Sequence, residues 1–207
     1  FLRLFHQTLV LFPLSEIFRS VGGSSGQELI RAVGESVTFS TSVPVSGTLI
    51  YKGDTVAQVL NKVSDTNSSE KFVNRLQWLS LTGLFTLSDL RTDDSGLYTV
   101  ESTRDPKRKQ EYQLEVYGEV SAPQVMKTTS SSSDFCSVLC SVRNSRGLNL
   151  SLYEDGVLLN HTSSSNITLN LLLEIKETDN LTSKIFSCVS SNPVSNERTR
   201  INLTHYC

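Results

Sequence analysis

Apolar positions alternate with polar ones from residue 28 onward, and Gly, Ser, Asn and Asp interrupt the runs. Val37, Phe39 and Thr41 stand at every second position, and the same spacing returns over residues 112–116. Side chains two positions apart share one face of a β-strand, whereas a helix repeats every three or four positions. The pattern therefore predicts an all-β chain without a convincing helix.

The strand pattern occurs twice along the chain, on either side of a short hinge at 118–123. Further strands of the first half are predicted over 49–51 and 55–60, and those of the second half near 135–142, 148–153, 166–175, 184–190 and 198–206. The length of 207 residues suits two domains of about 100 residues each. We therefore expect two β-sandwiches in tandem, over 24–118 and 119–207.

The first residues are typical of a secretory leader. Residues 1–18 are apolar with one early arginine, and small residues follow at 21–23. A signal peptide over 1–23 is the first interpretation, and an amphipathic helix or an added strand is the alternative. Because the chain begins with Phe1, we expect it to be a fragment. No other segment holds the ~20 apolar residues of a membrane span, so we expect any membrane attachment to follow Cys207.

Composition and glycosylation motifs narrow the class of protein. A net charge of −2 and 38% hydrophobic residues exclude a disordered chain, a strongly basic nucleic-acid binder and a collagen-like fibre. Six Asn-x-Ser/Thr acceptors predict a secreted or cell-surface glycoprotein: Asn67, Asn149, Asn160, Asn166, Asn180 and Asn202. Five of these six lie in the second half, so the first half is comparatively bare.

One motif of the first half resembles an immunoglobulin variable-type domain. Residues 94–100 read Asp-Ser-Gly-Leu-Tyr-Thr-Val, which is similar to the D-x-G-x-Y-x-C signature except that Val100 replaces the cysteine. The segment 34–41 resembles the usual second strand, with Thr41 in place of the other cysteine. Both halves of the usual disulfide are therefore missing, and we expect this domain to depend on packing alone.

The same resemblance implies roles for several side chains of the first half. Arg75 is expected to pair with Asp94, with a solvated charge at a strand edge as the alternative. Tyr98 is expected to point inward and to bond its hydroxyl back to the corner. Neither half has a tryptophan on its third strand, so Leu49 or Ile50, and Leu152 in the second half, are expected to fill that core position. Trp78, on a later run, is interpreted as a buried or half-buried packing residue.

All four cysteines lie in the second half. Cys136 and Cys140 are four apart and so share the inward face of one strand, while Cys188 follows Phe186 where Tyr-x-Cys is usual. Four cysteines allow three connectivities. We expect Cys140–Cys188 to bridge the sheets, and Cys136–Cys207 to follow because the end of the last strand lies beside the start of the second. A zinc site is the alternative, but the spacing lacks paired C-x-x-C motifs.

The sharpest local similarity is the run 188–195, Cys-Val-Ser-Ser-Asn-Pro-Val-Ser, which resembles a C-x-x-S-N-P-V-S signature of the SLAM family (signalling lymphocytic activation molecule) of immune receptors. The doubled cysteine strand agrees, and the resemblance covers residues 28–207. It implies a variable-type domain without a disulfide, then a C2-type domain with two. It also implies a cell-surface ectodomain that binds itself or a related immunoglobulin-superfamily receptor through strands C, C′, F and G of the first domain.

The candidate partner-binding residues follow from that resemblance and from strand alternation. They are Tyr51, Lys52 and Gln58 on strands C and C′, Thr99, Glu101 and Thr103 on F, Glu111 and Gln113 on G, and Arg104 and Lys107 in the loop between F and G. That loop is strongly basic over 104–109. A nucleic-acid or heparin patch would look similar, and a solvated loop is the simpler alternative.

The sequence contains no catalytic constellation. Its histidines, His6, His161 and His205, are scattered, and the serine tract 130–133 has the composition of a turn. We therefore expect no enzyme activity, no cofactor, no metal, no nucleic acid and no small-molecule substrate. A secreted soluble binder or decoy, and a spacer that carries glycans, remain as alternatives to the receptor.

Overall fold

Residues 26–104, 107–129, 135–163, 166–176 and 184–207 are described in the computed structural model of the chain. The predicted leader, the serine tract and the acceptor Asn180 lie outside the described residues. Sixteen β-strands, one 3-10 turn and one four-residue helix form the described elements. The prediction of an all-β fold is confirmed.

The first half forms two sheets. Its strands are β1 (Gln27–Ala32), β2 (Val37–Thr38), β3 (Gly47–Tyr51), β4 (Asp54–Leu60), β5 (Val63–Asp65), β6 (Leu76–Leu79), β7 (Leu84–Leu87), β8 (Gly96–Ser102) and β9 (Arg108–Tyr117), with a 3-10 turn at Thr92–Asp94. Six strands pair in the order β1-β9-β8-β3-β4-β5, and β1 runs parallel to β9. The other sheet has the order β2-β7-β6.

Aromatic packing fills the first hydrophobic core. The ring of Phe39 lies 5.1 Å from that of Tyr98 and 5.2 Å from that of Tyr112, centroid to centroid. Val100 is fully buried. The backbone N–H of Thr41 donates to the Tyr112 hydroxyl at 2.9 Å. Of the two positions where a disulfide is usual, Val100 therefore lies in the core, and Thr41 is half-buried and hydrogen-bonded at its edge.

The second half also forms two sheets, around a separate core. Its elements are β10 (Gln124–Thr128), β11 (Phe135–Arg143), β12 (Asn149–Glu154), β13 (Val157–Thr162), β14 (Thr168–Lys176), β15 (Phe186–Ser191), β16 (Asn196–Ile201) and the helix α1 (Leu203–Tyr206). The sheet orders are β10-β11-β14 and β13-β12-β15-β16. No buried residue belongs to both hydrophobic clusters in the described part of the chain.

Two disulfides tie the second pair of sheets together. Cys140 on β11 is joined to Cys188 on β15, which crosses from one sheet to the other. Cys136 is joined to Cys207 at the end of the chain. These are the two pairs that the sequence suggested.

The predicted last strand, 198–206, is wrong at its end. The strand stops at Ile201, and the chain then turns into α1, where the N–H of Cys207 donates to the carbonyl of Leu203 at 2.7 Å. Leu203 is buried and His205 is exposed, so Ile201, Leu203 and His205 do not share one inward strand face. One turn of helix, rather than a strand, brings Cys207 to Cys136.

Hydrogen bonds hold the segment 118–123 between the halves. The Asn192 side-chain amide donates to the carbonyl of Gly118 at 2.7 Å, and the N–H of Val120 donates to the hydroxyl of Ser195 at 3.0 Å. Asn192 and Ser195 belong to the Asn-Pro-Val-Ser part of the motif. This part of the motif therefore contacts the backbone of the connecting segment.

Candidate binding face on the six-stranded sheet

The six-stranded sheet has one covered face and one open face. Tyr51, Tyr98 and Tyr112 lie side by side on β3, β8 and β9, and all three are buried against the core. Their chain neighbours must point the other way, because side chains alternate along a strand. We call this second surface the outer face. Its residues on β3, β4, β5, β8 and the first part of β9 are Thr48, Ile50, Gln58, Leu60, Val63, Asp65, Leu97, Thr99, Glu101, Lys109, Glu111 and Gln113.

Charged and polar side chains form one row across the outer face. Glu101 on β8 lies directly between Thr48 on β3 and Lys109 on β9. The same row continues to Gln58 on β4 and Asp65 on β5. Glu101 is half-buried and the other charged members are exposed. Charges of both signs therefore stand next to each other across neighbouring strands.

Apolar side chains form the edge of the same face. Leu60 and Val63 face each other across the turn between β4 and β5, and they are 57% and 73% exposed. Exposed apolar pairs on an open sheet are unusual in a surface that meets only water. Composition and alternation did not identify these two residues as candidates. The signal that could have found them is the apolar run on both sides of Asn61 and Lys62, which is typical of a hairpin.

Two of the predicted contact residues are not available on this face. Tyr51 is only 8% exposed, because it lies opposite inward-facing Tyr98 and its hydroxyl donates to the carbonyls of Asp93 and Ser95 at 3.1 and 3.2 Å. Thr99 does point outward, but it is only 9% exposed. Its short side chain lies between Ile50 and Glu111 in the middle of the sheet.

The other predicted contact residues lie at the surface. Gln58, Glu101, Glu111 and Gln113 are on the outer face, where Gln58 is exposed and the rest are half-buried. Lys52 is exposed just after β3, with its ammonium 4.9 Å from the centre of the Tyr51 ring. The remaining candidates, Thr103, Arg104 and Lys107, are exposed at the end of the sheet.

Three turns are hydrogen-bonded to each other at that end, which we call the tip. The carbonyl of Ser46 accepts from the N–H of Thr103 at 2.9 Å, and the Ser46 hydroxyl accepts from the N–H of Asn61 at 3.0 Å. The guanidinium of Arg104 donates to the side-chain carbonyl of Asn61 at 3.0 Å. The tip therefore joins the loop before β3, the β4–β5 turn and the end of β8. Asp105 and Pro106 of the predicted basic loop lie outside the described residues.

A buried ion pair lies at the end of the sheet opposite the tip, beside the 3-10 turn Thr92–Asp94. We call this end the base. Arg75 donates to both carboxylate oxygens of Asp94, at 2.6 and 3.0 Å, and Asp94 is fully buried. The same carboxylate accepts from the backbone N–H of Arg91 at 2.8 Å. The hydrogen bond to Asp94 raises the pKa of Arg75, so the pair stays charged. The expected Arg75–Asp94 pair is therefore present.

Lys71 and Asp93 form a second, more exposed pair beside it, with Nζ and Oδ2 2.6 Å apart. Partial burial opposes the charge of Lys71, but the hydrogen bond to Asp93 and the two nearby carboxylates outweigh it and raise the lysine pKa. The hydrogen bond from Lys71 lowers the pKa of Asp93. This pair extends the charged base of the sheet to solvent.

Tyr98 connects the base to the core. Its hydroxyl donates to the carbonyl of Asp94 at 2.8 Å, as expected of a tyrosine at this corner. Burial, and then the negative charge of Asp94, raise the pKa of Tyr98 well above the ordinary value of a tyrosine. The phenol therefore stays neutral, and it fixes where β8 begins.

The described glycosylation acceptors are all exposed. Asn149, Asn160, Asn166 and Asn202 lie in the second half. Asn67 follows β5, the last strand of the six-stranded sheet, and its backbone N–H donates to the Asp65 carboxylate at 3.0 Å. An attached glycan would therefore start at the edge of the outer face, while the centre of that face carries no acceptor.

The described residues include neither a candidate metal cluster nor a candidate membrane-spanning helix. Within them, no group of three or more His, Cys, Asp or Glu side chains could hold a metal ion. Over the same ranges, no helix has the length and apolar character needed to cross a bilayer.

The fold is similar to that of several solved structures. The CD2-binding domain of CD58 (lymphocyte function-associated antigen 3) aligns with a TM-score of 0.65 and 23% identity, over 84% of this chain and 95% of that chain. The Ig1–Ig3 ectodomain of mouse nectin-like molecule 4 aligns with a TM-score of 0.60 and 16% identity, over 84% and 65%. Murine CEACAM1b aligns with a TM-score of 0.59 and 21% identity, over 83% and 93%. No protein-family model and no curated protein sequence matches the chain. The similarities show that the chain has an immunoglobulin-like fold.

Proposed function

We propose that this chain is the ectodomain of a cell-surface receptor or adhesion protein, and that the outer face of its six-stranded sheet binds another immunoglobulin-superfamily protein. The observation that carries the proposal is the composition of that face. It combines an exposed apolar pair, Leu60 and Val63, with charges of both signs. Interfaces that form between separately folded proteins have this mixture of apolar area and polar groups.

The distribution of glycan acceptors supports the same surface. Four described acceptors lie in the second half, and Asn67 lies beyond the edge strand β5. Glycans are bulky and hydrophilic, so they exclude protein contacts where they are attached. The centre of the outer face is the part of the sheet that stays open to a partner. In the similar CD58 structure, a domain of this fold binds CD2.

The charge pattern is compatible with a second copy or a close relative as the partner. Glu101 and Glu111 lie on the same face as Lys109, and Arg104 lies at the tip of the same sheet. Lys52 lies in the β3–β4 turn at the opposite end of the sheet. In a two-fold contact each residue meets a different residue of the other copy, so a mixed surface can complement itself. A partner with a related surface would satisfy the same pattern.

The finer assignments belong to the same proposal. Residues 24–118 form a variable-type domain, because β4 and β5 extend the sheet as strands C′ and C″ do. Residues 119–207 form a C2-type domain with two disulfides, of the kind found in the SLAM family. Residues 1–23 act as the leader, the exposed acceptors carry glycans, and a segment outside this sequence attaches the protein to the membrane.

A multivalent binding assay tests the proposal. The binding of bead-displayed ectodomains to leukocyte surface proteins, and to the ectodomain itself, would be measured. Display on beads is used because single adhesion contacts are weak and many contacts together bind more tightly. Glu101→Lys should weaken binding by about 1–3 kcal/mol if Glu101 pairs in a partly desolvated contact. Val63→Asp should weaken it as well, because a charge would enter the apolar edge.

Glu197→Lys is the matched control, since Glu197 is exposed on β16 in the second half. It makes the same change of charge away from the outer face, and it should leave binding unchanged. If Glu101→Lys and Val63→Asp both bind every detected partner as well as wild type, the outer face is not the binding site.

A further inference from the structure

A shallow hollow of about 340 Å³ opens at the tip, where β8 ends and β9 begins. It is lined by Glu101, Ser102, Thr103, Lys107, Arg108 and Lys109. Three of these six side chains are cations and one is an anion. The hollow therefore has a positive balance of charge although the whole chain is slightly negative, at −2.

Two further cations belong to the same end of the molecule. Arg104 is held toward the β4–β5 turn by its hydrogen bond to Asn61, at 3.0 Å. Lys62 is the next residue of that turn, and its backbone N–H donates to the carbonyl of Val45 at 2.8 Å. Hydrogen bonds between the turns thus hold the guanidinium of Arg104 and the backbone of Lys62 at the same end of the sheet as the hollow.

These five cations are available to a ligand. Lys62, Arg104, Lys107, Arg108 and Lys109 are all exposed. Among the described residues, none of them forms an ion pair within 4.0 Å, whereas the charged base of the sheet is paired throughout. Unpaired cations gathered at one end produce a positive potential that attracts anions from solution.

We propose that the tip binds a sulfated polysaccharide chain. Each exposed cation contributes little on its own, because water and salt screen it. A ligand with negative groups repeated along its length can contact several cations at once and release counterions from each contact, as polyanions do. A single carboxylate or sulfate would meet only one or two of the five.

The chemistry of the hollow favours a polysaccharide over a nucleic acid. Binding of single-stranded nucleic acid without sequence preference uses aromatic side chains on which the bases stack. The described residues that line the hollow have charged or hydroxyl-bearing side chains, and none of them is aromatic. Thr103 is exposed, and its hydroxyl donates to the carbonyl of Ser46 at 3.2 Å, so its oxygen can still accept a hydrogen bond from a sugar hydroxyl. Ser102 is buried and its hydroxyl donates to the carbonyl of Arg104 at 2.9 Å, so it shapes the wall of the hollow and does not offer a contact.

This inference does not require that the outer face bind a protein. Glu101 belongs to both the outer face and the wall of the hollow, so one variant at this position tests protein binding and polysaccharide binding separately. Glu101→Lys is expected to weaken protein binding but to strengthen polysaccharide binding, since it replaces the one anion among the described lining residues with a cation. Because this variant should change protein binding and polysaccharide binding in opposite directions, failure of one proposal can be distinguished from failure of the other.

Elution from immobilised heparin by a salt gradient is the test. Lys107→Glu/Arg108→Glu should elute at clearly lower salt than wild type, and the slope of log Kd against log salt should fall by about two. Lys127→Glu/Arg143→Glu is the matched control, because it replaces exposed cations of β10 and β11 and also takes the net charge from −2 to −6. Glu101→Lys should elute later than wild type.

Three outcomes would overturn the proposal. The first is an equal shift for both double variants, which would mean that retention follows net charge alone. The second is unchanged retention on heparin from which the sulfates have been removed, because sulfate would then play no part. The third is competition by single-stranded DNA as effective as that of heparin fragments of equal charge, which would contradict the preference for a polysaccharide. Thermal unfolding of each variant establishes that the fold is intact.

Discussion

At the scale of single residues, the buried pair of Arg75 and Asp94 stabilises one end of the six-stranded sheet. Asp94 accepts three hydrogen bonds, two from Arg75 and one from the N–H of Arg91. A charge with this many partners is stable inside a protein, but it becomes costly when one partner is removed. The pair was predictable from sequence because the motif around Asp94 resembles that of variable-type domains, in which an arginine and an aspartate pair in this way.

Removal of that partner should be strongly destabilising. Arg75→Ala removes both hydrogen bonds of the guanidinium and leaves the buried carboxylate of Asp94 with Lys71 Nζ, at 3.5 Å, as its remaining cation. We expect a loss of about 3–5 kcal/mol of unfolding free energy. Arg91→Ala is the control, because its guanidinium is 60% exposed and lies 3.7 Å from Asp89, a surface contact worth under ~1 kcal/mol. Denaturant unfolding followed by the fluorescence of Trp78, the single tryptophan, measures both. Equal losses for the two variants would contradict the importance of the buried pair.

Tyr98 should make the first half sensitive to alkali. Its pKa is raised in the folded state, whereas the unfolded chain has the ordinary value of about 10. Above that pH the unfolded state loses a proton that the folded state retains, so stability is full below pH ~10 and falls as pH rises beyond it. Tyr98→Phe should lose about 1 kcal/mol at neutral pH with the hydrogen bond, yet show a shallower alkaline decline. An unchanged decline would exclude Tyr98 as its source.

At the scale of elements, the close approach of β3 and β8 depends on one glycine. A Cβ atom on Gly47 would clash with the carbonyl of Glu101 and would lie 2.7 Å from Cγ1 of Val43. The two strands that carry Thr48 and Glu101 across the middle of the outer face can therefore pair only where no side chain intervenes. The charged row of the face depends on this pairing.

Gly47→Ala should separate these strands. We expect a loss of at least about 1–3 kcal/mol, as for other overpacked positions. Gly118→Ala is the control, because a Cβ there would meet no atom within 4 Å. Chemical unfolding measures the stability of both. If Gly47→Ala is as stable as Gly118→Ala, the strands have more room than their hydrogen-bonded register implies.

Elements with strong alternation were predictable and short ones were not. The run that became β9 places Tyr112, Leu114 and Val116 on the covered face, and the run that became β3 places Leu49 and Tyr51 there, so alternation was sufficient. β5 has three exposed residues and β13 is almost entirely exposed, so neither has an inward pattern to detect. Tyr51 was misassigned because an aromatic residue suits a binding face as well as a core. Its direction became clear only from its pairing with Tyr98.

At the scale of the whole molecule, the two halves are stabilised in different ways. Both disulfides lie in the second half, closing loops of 48 and 71 residues, and each is worth about 4 kcal/mol in the chain-entropy model. The first half relies on the packing of aromatic rings and on a buried ion pair. Reduction should therefore act on one half only.

That difference can be measured in one sample. Trp78 packs against the first core, so its fluorescence reports the first half, while far-UV circular dichroism reports both. With reductant, the dichroism should show a transition at lower denaturant, and the midpoint reported by Trp78 should stay where it was. A fluorescence midpoint that moves as far as the dichroism would mean that the halves unfold as one unit.

The outer face is the central element of the proposed function, and a glycan placed on it tests the assignment most directly. Gln58→Asn/Leu60→Thr creates an Asn-Val-Thr acceptor on β4, on the outer face. Gln77→Asn/Leu79→Thr makes the same two replacements on β6, at exposed positions of the opposite sheet.

Both proteins would be produced in mammalian cells, and mass spectrometry would establish that the new acceptor is occupied. Binding to the same partners would then be compared in the bead assay. We predict that the glycan on β4 abolishes binding because it covers the face, while the glycan on β6 leaves it intact. Full binding by the protein with an occupied acceptor on β4 would contradict the account.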